Sequence, residues 1–214
     1  MKNQIASGAI IALIAGSASA GTIVSLGQGW EAEIFEPVPG TVSLFVDPSP
    51  AGTLVIQKFA EFIANDPFTG APAPVLIQFR QIASDANTAT RIVINDELIK
   101  NSTGQNWSAF QMALLDGGNA VWNQALSAGF SINPPFTTTT YSPDSTVVTF
   151  AGGSLAAGAT WAPGIANGGM VIDVNLAGDN PMVFNLKEVA IPAPGSMLVA
   201  GVALLGMGRR RREA

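Results

Sequence analysis

The chain has 214 residues and contains neither cysteine nor histidine; it carries 23 glycines and 14 prolines, and charged residues make up only 12% of it. Those absences exclude disulfides, thiol nucleophiles, zinc sites of the usual nitrogen and sulfur type, Ser-His-Asp triads and histidine bases. With a formal net charge of −5, few charges and many glycines and prolines, the composition suits strands and turns rather than charged helices.

Residues 1–20 read as a secretory signal peptide. Lys2 supplies a positive start, residues 5–15 are an apolar stretch, and Ala18-Ser19-Ala20 has the small-x-small form cut by signal peptidase before Gly21. Ala18 and Ala20 are the expected recognition residues, and the apolar stretch is too short to cross a bilayer.

Residues 21–190 are expected to form the exported domain. Its apolar residues recur in short runs bounded by Gly, Pro, Asn and Asp, the mark of strands separated by turns. Ten strands are predicted, at 22–26, 30–35, 41–46, 53–62, 75–82, 90–98, 109–115, 146–151, 170–176 and 182–191. Ten strands joined by turns favour two packed antiparallel sheets, an all-β sandwich of jelly-roll or immunoglobulin-like type. Residues 121–126 follow the Gly117-Gly118 break with apolar residues at helical spacing and predict one or two helical turns. The Thr137 to Thr140 run and the Gly/Ala-rich stretch 152–169 are expected to be surface loops.

Within this domain Asn101-Ser102-Thr103-Gly104-Gln105-Asn106-Trp107 leads from a polar turn into Trp107 and Phe110. Trp107 beside amide side chains could stack on a sugar ring, which makes it the candidate ligand contact; the other reading is that Trp107 and Phe110 plug the core. The arrangement is similar to an N-x-T-G-x-x-W-x-x-F pattern of secreted β-sandwich domains, a resemblance that adds no activity. Two sequons, at Asn101 and Asn106, are read as chance matches.

With no histidine or cysteine, acid-base chemistry would fall to carboxylates, and a glycoside hydrolase needs two across a cleft. Glu31 and Glu33 share one face of a predicted strand, whereas Asp96 and Glu97 are adjacent and point opposite ways if their strand continues. Neither pair sits in a catalytic motif, and both are expected on the wet face of a sheet. No catalytic residue and no cofactor are predicted. Structural calcium is the one metal suited to an oxygen-only ligand set; Asp173 with Asn175, Asp179-Asn180 and Asp116 are turn-rich acidic positions, but no D-x-D-x-D-G loop occurs.

At the C-terminal end, residues 195–208 (GSMLVAGVALLGMG) form a second apolar run, followed by Arg209, Arg210, Arg211 and Arg212. The arginines are expected to act as a membrane stop on the cytoplasmic side. A helix of this run reaches about 21 Å of a hydrocarbon core ~30 Å thick, so it suits a transient anchor better than a permanent one. Between residues 21 and 195, five basic residues face fourteen acidic ones, a net charge of −9 that would repel nucleic acid.

Pro192-Ala193-Pro194, the short apolar helix and the arginine run together resemble the PEP-CTERM protein-sorting signal, with Ala193 at the position of the usual glutamate. The resemblance covers residues 191–214. It implies a membrane-embedded sorting enzyme of the exosortase type as a partner, Pro192, Ala193 and Pro194 as its recognition segment, and delivery to the cell envelope, cell surface or extracellular matrix. The expectation is therefore an exported, non-catalytic, structural or adhesive protein. Extracellular polysaccharide is a candidate partner, and the alternatives are a carbohydrate-binding module with exposed tryptophans or, behind it, a carboxylate glycoside hydrolase.

Overall fold

The computed structural model describes residues 21–115, 119–130, 134–164, 168–176 and 182–194. Both terminal segments, and with them the expected signal peptide and the apolar run at 195–208, lie outside the described residues. Among the described residues, no helix is long and apolar enough to cross a membrane.

Thirteen strands are described: β1 Thr22–Gly27, β2 Trp30–Phe35, β3 Val42–Asp47, β4 Thr53–Phe62, β5 Val75–Gln81, β6 Arg91–Asn101, β7 Trp107–Leu115, β8 Ala120–Trp122, β9 Thr138–Tyr141, β10 Val147–Ala151, β11 Thr160–Trp161, β12 Met170–Val174 and β13 Val183–Pro192. All ten strands expected from the sequence are among them. One sheet runs β1-β2-β5-β13-β7-β10-β9, and the other runs β3-β4-β6-β12-β8 with β11 also pairing on β6. The sheets pack face to face around one shared core, which makes the molecule a β-sandwich.

Four details differ from the sequence expectation. β4 and β6 pair in parallel, so the six-stranded sheet is not wholly antiparallel. The expected helical turns at 121–126 give way to β8, because Trp122 pairs with Ile172; a 3₁₀ turn follows only at Leu126–Gly129. The expected Thr137 to Thr140 loop is mostly edge strand β9, where β-branched threonines suit a pleated surface. The expected loop at 152–169 contains β11, pinned by the buried Trp161.

Alternation explains most of the core. Leu54, Ile56, Ala60 and Phe62 on β4 and Val75, Ile77 and Phe79 on β5 are all buried at every second position. Across the gap Phe62 meets Trp107 at 5.2 Å and Phe110 at 5.7 Å edge to face, and Trp161 stands edge-on to Phe136 at 4.9 Å. Each such ring contributes on the order of 2 kcal/mol of burial, with a further increment from the edge-to-face geometry.

β6 breaks the rule of two. Ile92 and Ile94 point inward, and then Glu97, Ile99 and Asn101 do. The pairing with β4 steps from Ile56↔Ile94 to Lys58↔Glu97, so one extra residue of β6 is accommodated in a bulge at 95–96. A bulge changes which parity faces the core, and this one turns Glu97 into the interior.

Candidate functional site

The sequence pointed first to Trp107, and here the expectation is corrected. Trp107 is fully buried, its Nε1–H donates to Thr103 Oγ1 at 3.1 Å, and its ring stacks on Phe110. Trp30, Trp122 and Trp161 are buried as well, so no tryptophan of the four offers an exposed face to a sugar. The surrounding N-x-T-G-x-x-W-x-x-F pattern is a crossing between the sheets, from β6 to β7. The Asn101 amide donates to the carbonyls of Gln105, Leu155 and Ala156, and its oxygen accepts the Thr103 N–H and O–H. Gly104, at φ +75°, makes the tight reversal. Asn101 is wholly buried, which closes its sequon to a glycan.

The expected acid pairs separate. Glu31 and Glu33 do share the outer face of β2, where Arg80 on β5 bridges both at 3.3 and 3.8 Å. Glu97 departs from the wet-face expectation: it is buried and meets the Lys58 Nζ at 2.5 Å. Asp173 is engaged by Arg91 at 3.0 Å and by the Asn123 amide at 2.6 Å. Asp116, Asp179 and Asn180 lie outside the described residues. Among the described residues no group of three or more acids converges as a metal cage would require.

The C-terminal motif is built into the sheet. β13 runs through Pro192, two residues past the expected boundary at 190, with Ile191 opposite Ala109 and Pro192 opposite Trp107. A proline closing a strand leaves no ladder donor to satisfy beyond it. Ala193 N–H donates to the Asn106 carbonyl at 2.8 Å, and the Ser108 hydroxyl reaches the carbonyls of Ile191 and Pro192. Pro192 and Ala193 are thus tied to the turn that carries Asn106 and Trp107. Ala18, Ala20 and Arg209 to Arg212 lie outside the described residues.

One chemically charged cluster was not singled out from the sequence. Lys58 on β4, Glu97 on β6 and Glu188 on β13 meet in the middle of the core, their side chains 0 to 1% exposed. Lys58 Nζ donates to Glu188 Oε2 at 2.8 Å across the gap between the sheets. The Glu188 and Glu97 carboxyls also hydrogen-bond to each other, and beyond the three side chains themselves no hydrogen bond reaches either oxygen of Glu97 or Oε1 of Glu188 among the described residues. Burial raises the Glu188 carboxyl to about 8 against the pull of Lys58, and Glu97 adds to the rise. Burial by itself lowers the lysine, but the attraction of Glu188 and Glu97 outweighs it and leaves Lys58 above its ordinary 10.5. The signal for two of the three was in the alternation: Lys58 sits in the inward series Leu54, Ile56, Ala60, Phe62, and Glu188 in the series Phe184, Leu186, Ala190. A charge at an inward position of a core strand is expected only where partners wait for it.

At one end of the sandwich, Gln124, Ser127, Thr139 and Tyr141 line a cleft of about 240 Å³ over Phe130 and Phe150. Its lining mixes polar and apolar side chains and carries no charge. Compared with family models, with curated proteins and with solved structures, the chain has no match.

Proposed function

We propose that this chain is an exported, non-catalytic protein of the cell surface or extracellular matrix, with a structural or adhesive role, sorted through its C-terminal segment. The observation that carries this reading is the tripartite order at 191–214: Pro192-Ala193-Pro194, a short apolar run and four arginines. It resembles the PEP-CTERM signal and pairs with a cleavable leader at residues 1–20. In this reading signal peptidase cuts after Ala20, the apolar run holds the tail in the membrane transiently, Arg209 to Arg212 stop it, and an exosortase-like enzyme acts at the proline motif. The fit of the fold to this role is general: a rigid β-sandwich suits an envelope protein, and its acidic surface suits a place away from nucleic acid. Of the five basic residues between 21 and 195, four (Lys58, Arg80, Arg91 and Lys100) are held in ion pairs with acids, so little free positive charge is left to meet a polyanion.

Of the two sandwich types expected, we infer the jelly roll. From β5 to β8 each strand lies in the sheet opposite the one before it, the pair β9 and β10 returns to the seven-stranded sheet, β11 and β12 to the other, and β13 to the first, so that β5-β13-β7-β10 faces β6-β12-β8; this placing of the last strand between earlier ones is the jelly-roll order, with β1 to β4 added before it. The carbohydrate-module alternative loses its stacking surface with the burial of all four tryptophans.

The test is the mature C-terminus of the native protein, read by mass spectrometry from membrane and extracellular fractions. A terminus near Pro194 is the expected result. An intact chain ending at Ala214, confined to the membrane, would mean a plain anchor and end the sorting reading.

A further inference from the structure

The Lys58, Glu97 and Glu188 cluster is an expensive way to fill a core. Two carboxyl groups and one ammonium are removed from water with only one another as partners: Lys58 meets both acids, and the Glu188 and Glu97 carboxyls share a hydrogen bond. A buried ion group compensates its desolvation only when its remaining lone pairs are satisfied, and among the described residues nothing outside the cluster reaches these. A second fact bears on the same place: the chain has no cysteine, so the usual covalent staple of small exported domains is closed to it.

We propose that Lys58 and Glu188 are joined by an amide bond between their side chains, formed by the folded protein itself with Glu97 as the proton relay. The geometry meets the requirements of a condensation. The nucleophile and the carboxyl group it attacks are held within 2.8 Å, so the reaction is unimolecular and gains the advantage of fixed orientation. The three side chains are 0 to 1% exposed, and such burial favours neutral groups over ions and so favours the amide product.

The step balances as follows. The Lys58 ammonium passes a proton to the Glu97 carboxylate along their 2.5 Å contact, which leaves a neutral amine. Its lone pair attacks Cδ of the protonated Glu188 carboxyl and forms the C–N bond. Glu97 takes a second proton from the nitrogen and returns one to the Glu188 hydroxyl, the C–O bond breaks, and water leaves. Lys58 and Glu188 end as a neutral secondary amide, Glu97 ends protonated, and a carboxylic acid now has an amide carbonyl to donate to. A site that began with one cation and one anion finishes with no charge, and no oxidant, reductant or external co-reactant is consumed.

The consequence is structural. β4 belongs to the six-stranded sheet and β13 to the seven-stranded one, so the bond would clamp the two sheets together across 130 residues of chain. Glu97 makes the same approach to Lys58, but it lies beside it in the same sheet; a bond there would only duplicate a pairing that the ladder already makes. This inference stands on the core geometry and is independent of the sorting reading.

The test is a tryptic digest of the full chain after expression, read by mass spectrometry. Trypsin cannot cut after an amide-blocked lysine, so the expected product is the peptide that runs through Lys58 to Arg80, bridged to the peptide that begins at Glu188, lighter than their sum by one water. A free 59–80 peptide at full mass would overturn the proposal, and so would a bridge from Lys58 to the 92–100 peptide that carries Glu97. Glu97→Gln, checked for native circular dichroism, is expected to lose at least nine-tenths of the bridge to Glu188. A folded Glu97→Gln protein that still forms it in full would overturn the relay.

Discussion

Glu188 carries the pH sensitivity of the core. In a chain where its carboxyl is still free, folding raises that group from 4.5 to about 8, chiefly by burial, with Lys58 on β4 opposing and Glu97 on β6 adding. The sign follows from linkage: a group raised on folding contributes stability in full below its ordinary value, and loses it as pH climbs toward the folded one. The half-buried Glu61 and Asp66 and the exposed Asp144 are held below their usual values by hydrogen bonds, so their contribution is already constant above about pH 5. Chains recovered unfolded before any amide has formed, and then freshly folded, are therefore expected to show a lower urea midpoint at pH 8 than at pH 5.5. Chains matured into the amide-linked form are expected to lose that difference, since Glu188 no longer titrates. An identical drop in both populations would count against the link. At this scale the sequence was readable in part. Trp107, Phe110 and Asn101 stood out as a pattern, yet the same letters serve a sugar platform or a core plug; only the direction of the Trp107 ring separates the two, and a turn sequence does not encode it. Lys58 and Glu188 were legible as inward charges in alternating strands, but their partnership spans 130 residues and needs the fold.

β6 shows how a strand can be found and its far half misread. Alternation placed a strand at 90–98, and the observed one is Arg91–Asn101. What alternation could not register is the extra residue at 95–96, because Asn95-Asp96-Glu97 looks like the polar end of a strand rather than a parity change inside one. Two glycines serve the bulge. A Cβ at Gly169 would stand 2.5 Å from the Ile94 carbonyl oxygen, and one at Gly164, already at φ +84°, would stand 2.7 Å from that of Asn95. Deleting Asp96 makes the β4 ladder regular and leaves Glu97, Ile99 and Asn101 inward, so it is expected to fold, at a cost of no more than about 3 kcal/mol. Inserting an alanine between Leu98 and Ile99 turns Ile99 and Asn101 outward, and is expected to cost more than about 5 kcal/mol or abolish folding. Denaturant unfolding of the two variants side by side checks this, and equal stability would mean that parity at this strand does not matter. β8, β9 and β11 escaped the sequence for a different reason. They are three, four and two residues long, shorter than any periodicity can be read over, and pairing with longer neighbours makes them strands.

Taken as one body, the sandwich has a polarity that its ends reveal. β13 delivers Pro192 and Ala193 to the turn at Asn106, and the neighbouring loop 63–74 is tied to the same turn: Gln105 donates to the Gly70 carbonyl and Asn65 to that of Thr103. At the tip of that loop Phe68 is 87% exposed, held up by Asp66, whose carboxylate accepts the N–H groups of Phe68 and Thr69. If the proposed tail enters a bilayer just beyond Pro194, this end faces the membrane, and an aromatic ring at that level belongs in the headgroup region. The opposite end holds the turn at Ala51 and Gly52, separated from it by the ten residues of β4, roughly 33 Å of strand. The absence of cysteine makes the arrangement directly measurable, because one introduced thiol is the only one to label. In the full chain reconstituted into vesicles, a fluorophore on Phe68→Cys is expected to be quenched by lipid-borne nitroxides, and one on Ala51→Cys to be untouched. Quenching at both positions would mean that the sandwich lies on its side, and quenching at neither would mean that the tail holds the domain clear of the surface. Either result would mean that the Phe68 end does not stand the sandwich upright on the bilayer.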